Sequence, residues 1–334
     1  MPTASGGARV VAWWPSAGRT LDVLAEGRVV FDSVATRESL YEIPIGRAGP
    51  VRWLTHGTST DRQPVYSPDG KRVLFSSDRS GQLDLWILER ETGALQRVTD
   101  DPAQDWDPAF SPDGQKILWS SDRSGRFEVW TSSLDGTDAR RLTHGEGDAE
   151  NPVLTPDRGT LLWGSLERGR GGIWRARADG SGAAPLIRGQ ALQLPEVSPD
   201  GRWVAFREGI GTGPRAIRVV RLADGAEVAA VVLAEVVDAV TAGESGRPRW
   251  MTDGRLAFVG VDEQGLTGIF AQEVVAGADT TATRRRLGGF DPTLAAESFA
   301  ISPDGAALII AARESLSSVV LAEPVAGAPK PRRP

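Results

Sequence analysis

The sequence predicts an all-β chain folded as a β-propeller, a ring of four-stranded blades. Three observations predict it. A Ser-Pro-Asp-Gly tetrapeptide recurs at near-regular spacing, short β-rich runs fill each interval, and large aromatic residues return at fixed offsets from the turn.

The tetrapeptide stands at residues 67–70, 111–114, 198–201 and 302–305, with degenerate copies at 155–159 and 251–254 and a weaker one at Glu26-Gly27. Its closing glycines, 27, 70, 114, 159, 201, 254 and 305, lie 42 to 53 residues apart. Proline presets φ at the second position of a type I turn, aspartate suits the third and glycine the fourth, so each copy joins two antiparallel strands. After Gly70, residues 72–76 read as a strand, 78–81 as a turn, 83–88 as a strand around Trp86, 91–93 as a turn and 95–99 as a fourth strand.

The aromatics follow the same phase. Phe31, Phe75, Trp119, Trp163, Phe206 and Phe258 come four or five residues after the turn glycine. Trp86, Trp130, Ile217 and Phe270 come sixteen after it, with Trp174 at fifteen and Tyr41 at fourteen. A stripe in register with the repeat is filling between neighbouring blades, and it accounts for 11 Trp against 2 Tyr.

Seven turn glycines predict seven blades. After Gly305 only two strands fit, at 306–311 and 318–322, so the last blade lacks its outer part. The N-terminal strand at 9–14 is expected to pair with it and close the ring. Six blades is the alternative if residues 1–60 add only partial blades. A single propeller over 1–323 and a flexible Pro/Arg-rich tail over 324–334 complete the expected organisation.

With 40% hydrophobic residues in 334, the chain has material for a substantial core. A net charge of −6 argues against nucleic-acid partners. The absence of cysteine removes disulfides, thiolate metal sites and cysteine nucleophiles. No apolar run is long enough to enter a bilayer as a span, and the N-terminal composition is not that of a signal peptide. A monomer is expected, in a compartment the sequence leaves open.

The unit from Pro64 to Gly81 with Asp84-Leu85-Trp86, repeated almost letter for letter from Pro108 to Trp130, resembles the TolB-type (WD-like) propeller repeat of bacteria. The stretches 297–305 and 317–323 are similar to the C-terminal propeller region of bacterial membrane-anchored serine/threonine kinases. The resemblance implies a sensor or protein-binding module working outside the cytoplasm. This chain shows neither a kinase domain nor a span.

In a propeller, the inter-blade loops share a face with the turns between second and third strands. The expected loops are 56–63, 100–107, 144–151, 188–194, 238–247 and 288–297. Variable loops on a rigid scaffold are where binding residues gather. The residues entering each inner strand, Gln63, Asp107, Asn151, Leu194, Arg247 and Glu297, are expected to ring the channel mouth. They read as a grip for a peptide, a basic side chain or a cation, or as the lining of a wet pore. Asp100, Asp101, Asp105 and Asp107 surround Trp106, a tryptophan off the core register and a candidate contact. The run lacks a calcium-loop pattern and no metal is assigned. Asp78-Arg79 and Asp122-Arg123 hold equal places in adjacent units; the aspartates read as turn-makers, and the arginines as solvated surface or as a pair facing a partner's carboxylate.

No catalytic constellation is legible. His56 and His144 repeat at one blade position, and no nucleophile elbow, zinc-helix or phosphate-loop motif occurs. Gly209-Ile210-Gly211-Thr212-Gly213 reads as a hairpin loop. The leading expectation is a non-enzymatic protein- or peptide-binding module without a cofactor. The alternatives are a hydrolase or lyase with its site at the channel mouth, with or without a metal, and the gating propeller of a prolyl-oligopeptidase-like enzyme, which needs a further domain.

Overall fold

The computed structural model describes residues 21–23, 29–46, 49–145, 147–165, 171–209, 216–232 and 246–322. They fall into two units, Arg37–Glu314 and a smaller one drawn from 1–36 and 315–334. In the smaller unit Leu21–Val23 pairs antiparallel with the start of Val29–Pro44. The larger unit is the propeller. Among the described residues no helix is long and apolar enough to cross a membrane.

Blade 1 consists of Asp61–Tyr66, Arg72–Ser77, Asp84–Glu89 and Leu95–Arg97, hydrogen-bonded in that order. Blade 2 runs from Asp105–Phe110 to Arg140–Arg141, blade 3 from Glu150–Leu154 to Ala184–Arg188, blade 4 from Leu192–Val197 to Glu227–Val232, and blade 5 from Arg249–Trp250 to Arg285–Gly288. The sixth sheet begins with Ala295–Ile301 and Ala307–Ala322 and continues with Val29–Pro44 and Arg52–Trp53.

Among the described residues the propeller has six blades, not seven. The C-terminal repeat supplies only two strands, and the stretch expected to found a seventh blade supplies the other two. Tyr41 pairs with Trp53 in that outer half, as Trp86 pairs with Arg97 in blade 1. The expected closing strand at 9–14 and the tail at 324–334 lie outside the described residues, as does Glu26-Gly27.

One turn reads differently in structure. In blade 3 the fourth turn position is Arg158, at φ 61° with its N–H on the Thr155 carbonyl, as Gly70 at φ 70° bonds to Ser67. Counted from Arg158, Trp163 and Trp174 stand five and sixteen residues on, in phase with Phe75 and Trp86. The turns also explain their leading serine and third-position aspartate. Ser67 Oγ accepts the Arg72 N–H at 2.9 Å and donates to Asp69 Oδ1 at 2.6 Å, while Lys71 N–H donates to the same carboxylate. The Ser67 hydroxyl holds the Asp69 carboxyl below its usual range, and Ser111 takes Asp113 down to about 2.

The core is distributed. Six buried clusters are described, each made of side chains from two adjacent sheets. Trp119 and Phe75 are wholly buried in them, and Trp86, Trp130 and Trp174 pack half-buried against them. Apart from Phe31, whose side chain lies outside the described ones, the in-phase aromatics are therefore inter-blade filling. The turns touch as well: a Cβ on Gly70 would lie 3.5 Å from Pro303 Cδ, and one on Gly114 only 3.2 Å from Pro68 Cδ.

Candidate functional site

The inner strands of blades 1 to 4 share one irregularity. Gln63, Asp107, Asn151 and Leu194 have φ of 52–57°, each precedes a proline, and each marks a register shift against the second strand. Positive φ is uncommon for a non-glycine residue, and proline biases its predecessor toward extended backbone. The bulge brings the side chains of Gln63, Asp107 and Asn151 and the backbone N–H of Leu194 together.

Gln63 Nε2 donates to Asp107 Oδ1 at 2.5 Å, and Asp107 N–H returns a bond to Gln63 Oε1 at 3.0 Å. Asn151 Nδ2 donates to Asp107 Oδ2, and Leu194 N–H donates to Asn151 Oδ1 at 3.2 Å. Ser298 Oγ of the sixth sheet accepts the Gln63 N–H at 2.9 Å. The belt thus runs from the sixth sheet through blades 1 to 4. Blade 5 adds Arg247, whose Nη1 donates to the Pro152 carbonyl at 3.0 Å, on blade 3. Arg249 Nη1 lies 3.3 Å from Glu196 Oε2 and its Nη2 donates to the Pro64 carbonyl of blade 1. Two guanidiniums therefore tie the inner strand of blade 5 to those of blades 1, 3 and 4.

Glu297 is buried close by, its carbonyl accepting Gly246 N–H at 2.7 Å. Five of the sequence-selected residues, Gln63, Asp107, Asn151, Arg247 and Glu297, are thus on or beside the axial belt. Burial lowers the Arg247 guanidinium to about 10, so it stays charged at neutral pH. Burial, with the Asp107 and Asp148 charges, pushes the Glu150 carboxyl up to about 7.

Arg79 and Arg123 stand elsewhere and are engaged within the fold. Arg79 Nη2 pairs with the buried Asp61 at 2.8 Å, its Nε donates to Ser77 Oγ, and it lies 5.1 Å from the Trp86 ring centre. Arg123 repeats this with Asp105, Asp101, Ser121 and Trp130. The turn aspartates reach further than their own turns: Asp78 Oδ1 accepts Thr60 N–H at 2.7 Å and Asp122 Oδ1 accepts Gln104 N–H at 2.9 Å, fastening the preceding inter-blade loops. Trp106 is half-buried and stacks on Phe127 with centroids 5.1 Å apart. Of the four loop aspartates, Asp101 and Asp105 share Arg123, Asp105 also accepting from Trp119 Nε1, while Asp107 goes to the axis and Asp100 to solvent. Among the described residues no three His, Asp or Glu side chains are grouped to hold a metal ion. Only Gly209 of the glycine-rich stretch 209–213 is described.

Sequence reasoning missed Glu150, Glu196 and Arg249 in the mouth. Arg249 offered no motif, because its role depends on which blades face one another. The X-Pro dipeptide at 63–64, 107–108, 151–152, 194–195 and 247–248 was the available signal.

Solved structures with this fold include TolB from Acinetobacter baumannii, at 15% identity and TM-score 0.57 over 84% of this chain and 66% of that one. A protein of Agrobacterium tumefaciens described as a TolB matches at 20% identity and TM-score 0.53 over 92% and 93%. Among curated relatives, the uncharacterized protein Atu1656 of Agrobacterium fabrum is 31% identical over 87 residues, and the uncharacterized peptidase YuxL of Bacillus subtilis 39% identical over 70. These segments cover 26% and 21% of this chain and only 27% and 10% of those proteins. The family model of the TolB β-propeller domain, PD40, matches residues 51–238, more than half of the chain. The chain belongs to the TolB β-propeller domain (PD40) family.

Proposed function

We propose that this propeller is a non-catalytic binding module that engages a protein or peptide through the face of its inter-blade loops, at the channel mouth. The observation that carries this reading is the left-handed backbone at Gln63, Asp107, Asn151 and Leu194. Four non-glycine residues in a costly conformation, repeated blade after blade, mark a place where strain is maintained for the sake of what the side chains present. Gln63, Asp107 and Asn151 present amide and carboxylate groups, joined by Arg247 and Arg249, within a rigid ring. The buried carboxylates Asp61, Asp84 and Asp105 are all held by arginines, which favours scaffolding over proton transfer. The sixth sheet, drawing strands from both chain ends, serves in this reading as the latch of the ring. A place outside the cytoplasm, as the likeness to TolB suggests, belongs to the same proposal.

The test is site-specific photo-crosslinking in cells. A crosslinker at Thr58, on the loop face, is expected to capture a discrete partner, and one at Thr92, on the opposite face, is not. Equal capture from both faces would overturn the assignment.

A further inference from the structure

Between blades 1 and 2, Arg123 occupies a defined niche. Its Nη2 lies 2.9 Å from Asp105 Oδ2 and 2.6 Å from Asp101 Oδ2, its Nε donates to Ser121 Oγ at 2.9 Å, and its guanidinium carbon is 5.4 and 4.8 Å from the ring centres of Trp119 and Trp130. Arg79 makes the same arrangement in blade 1 with Asp61, Ser77, Phe75 and Trp86.

One junction further on, the two rings and the serine hydroxyl recur, while the carboxylates and the arginine do not occupy the matching sequence positions. Trp163 pairs with Trp174 as Trp119 pairs with Trp130, and Ser165 follows Trp163 by two residues as Ser121 follows Trp119. The loops from Thr99 to Asp105 and from Thr143 to Ala149 are equal in length, so Ala149 replaces Asp105 and Gly145 replaces Asp101. In sequence, Glu167 takes the place that Arg123 holds after Ser121.

A cavity of about 380 Å³ stands at this junction, lined among others by Trp163, Trp174, Ser165, Glu128, Asp148 and His144. Ser165 is 2% exposed, and among the described residues its Oγ has no hydrogen-bond partner, whereas the Ser121 hydroxyl holds Arg123. A buried hydroxyl left unpaired is costly and invites a ligand donor. The described ionisable lining is acidic apart from His144, whose Nδ1 accepts from Arg141 Nε at 2.9 Å. Glu128 accepts from Thr143 Oγ1, and Arg188 lies 5.7 Å from the Trp174 ring centre.

We propose that this cavity receives the arginine side chain of a partner polypeptide, in the place that Arg123 fills at the preceding junction. The guanidinium suits it better than an ammonium does. A planar fork stacks on indole while donating to a hydroxyl and a carboxylate at once, and a compact, strongly hydrated ammonium does not. Glu128 and Asp148 supply the negative charge that Asp105 and Asp101 supply to Arg123. The site is separate from the channel mouth and does not depend on the mouth having a partner.

The test is calorimetric titration of the whole protein with N-acetyl-arginine amide, a Gly-Arg-Gly peptide, N-acetyl-citrulline amide and free L-arginine. The two arginine amides are expected to bind, and citrulline, of the same shape without the charge, to bind about ten-fold more weakly or not at all. Ser165→Ala and Asp148→Asn are each expected to weaken the arginine amides about five-fold while leaving thermal stability near wild type. If Ser165→Ala misfolds, Asp148→Asn carries the test alone. Equal binding of citrulline, binding unaffected by both substitutions, or no binding of either amide overturns the proposal. Binding of free arginine but not of the peptide would assign the cavity to a small molecule and overturn the polypeptide source.

Discussion

Gln63 Nε2 and Asp107 Oδ1 meet at 2.5 Å across the boundary of the first two blades, from the same bulge position in consecutive repeats. The Asp107 carboxylate also takes the Asn151 amide, so it joins three inner strands. Asp107→Ala strands the buried Asn151 amide and the half-buried Gln63 amide and is expected to cost about 2–3 kcal/mol. Urea denaturation checks it. Asp107→Asn, which keeps an acceptor oxygen, should cost less; little or no loss from Asp107→Ala would show that the belt contributes little.

Arg123 and Asp105 form a partly buried ion pair, the carboxylate wholly enclosed. Removing one partner of such a pair leaves the other charge stranded, so Arg123→Met is expected to cost about 3 kcal/mol. The double variant Arg123→Met with Asp105→Asn should cost clearly less than the sum of the singles. A double-mutant cycle measured by chemical denaturation reads this coupling directly.

Arg158 holds the left-handed fourth position of its turn, where the matching residues of the Ser-Pro-Asp-Gly turns are glycine. Arg158→Gly removes a side-chain clash with the backbone that costs roughly 1 kcal/mol, and forfeits only an exposed contact with Asp113. A small rise in melting temperature is expected. Gly114→Ala, at φ 68° with a Cβ 3.2 Å from Pro68, should instead lose about 1–2 kcal/mol.

Glu150 has its carboxyl raised from 4.5 to about 7 by burial and by nearby carboxylates. The folded state therefore binds its proton more tightly than the unfolded chain. The group's stabilising contribution is full below about pH 4.5 and falls away as the pH rises toward 7, by up to about 3 kcal/mol. The turn carboxylates act in the other direction, losing their contribution as the pH falls through their lowered values. Glu150→Gln is expected to flatten the stability profile between pH 4.5 and 7. An unchanged profile in a melting series would refute the assignment.

Local chemistry made much of this protein readable from its sequence. The Ser-Pro-Asp-Gly turn has only a few backbone solutions, alternation at period two sets strand faces, and aromatics in phase with the turn must fill the same inter-blade space in every repeat. Blade architecture, the faces and the axial ring of Gln63, Asp107, Asn151 and Arg247 follow from those constraints. The blade count does not. Whether 37–44 founds its own blade or finishes the one begun at Ala295 depends on pairing between residues some 270 apart, which local propensity leaves undetermined. The same holds for function-bearing contacts. Arg79 and Arg123 look like free surface cations in sequence, but the tertiary structure sets a buried aspartate and two rings against each. Arg247 reaches blade 3 and Arg249 blades 1 and 4 only because ring curvature brings those inner strands within a side-chain's length. Sequence determined what each repeat is; only tertiary structure decided which repeats meet, because that depends on closure geometry rather than on any residue's own preference.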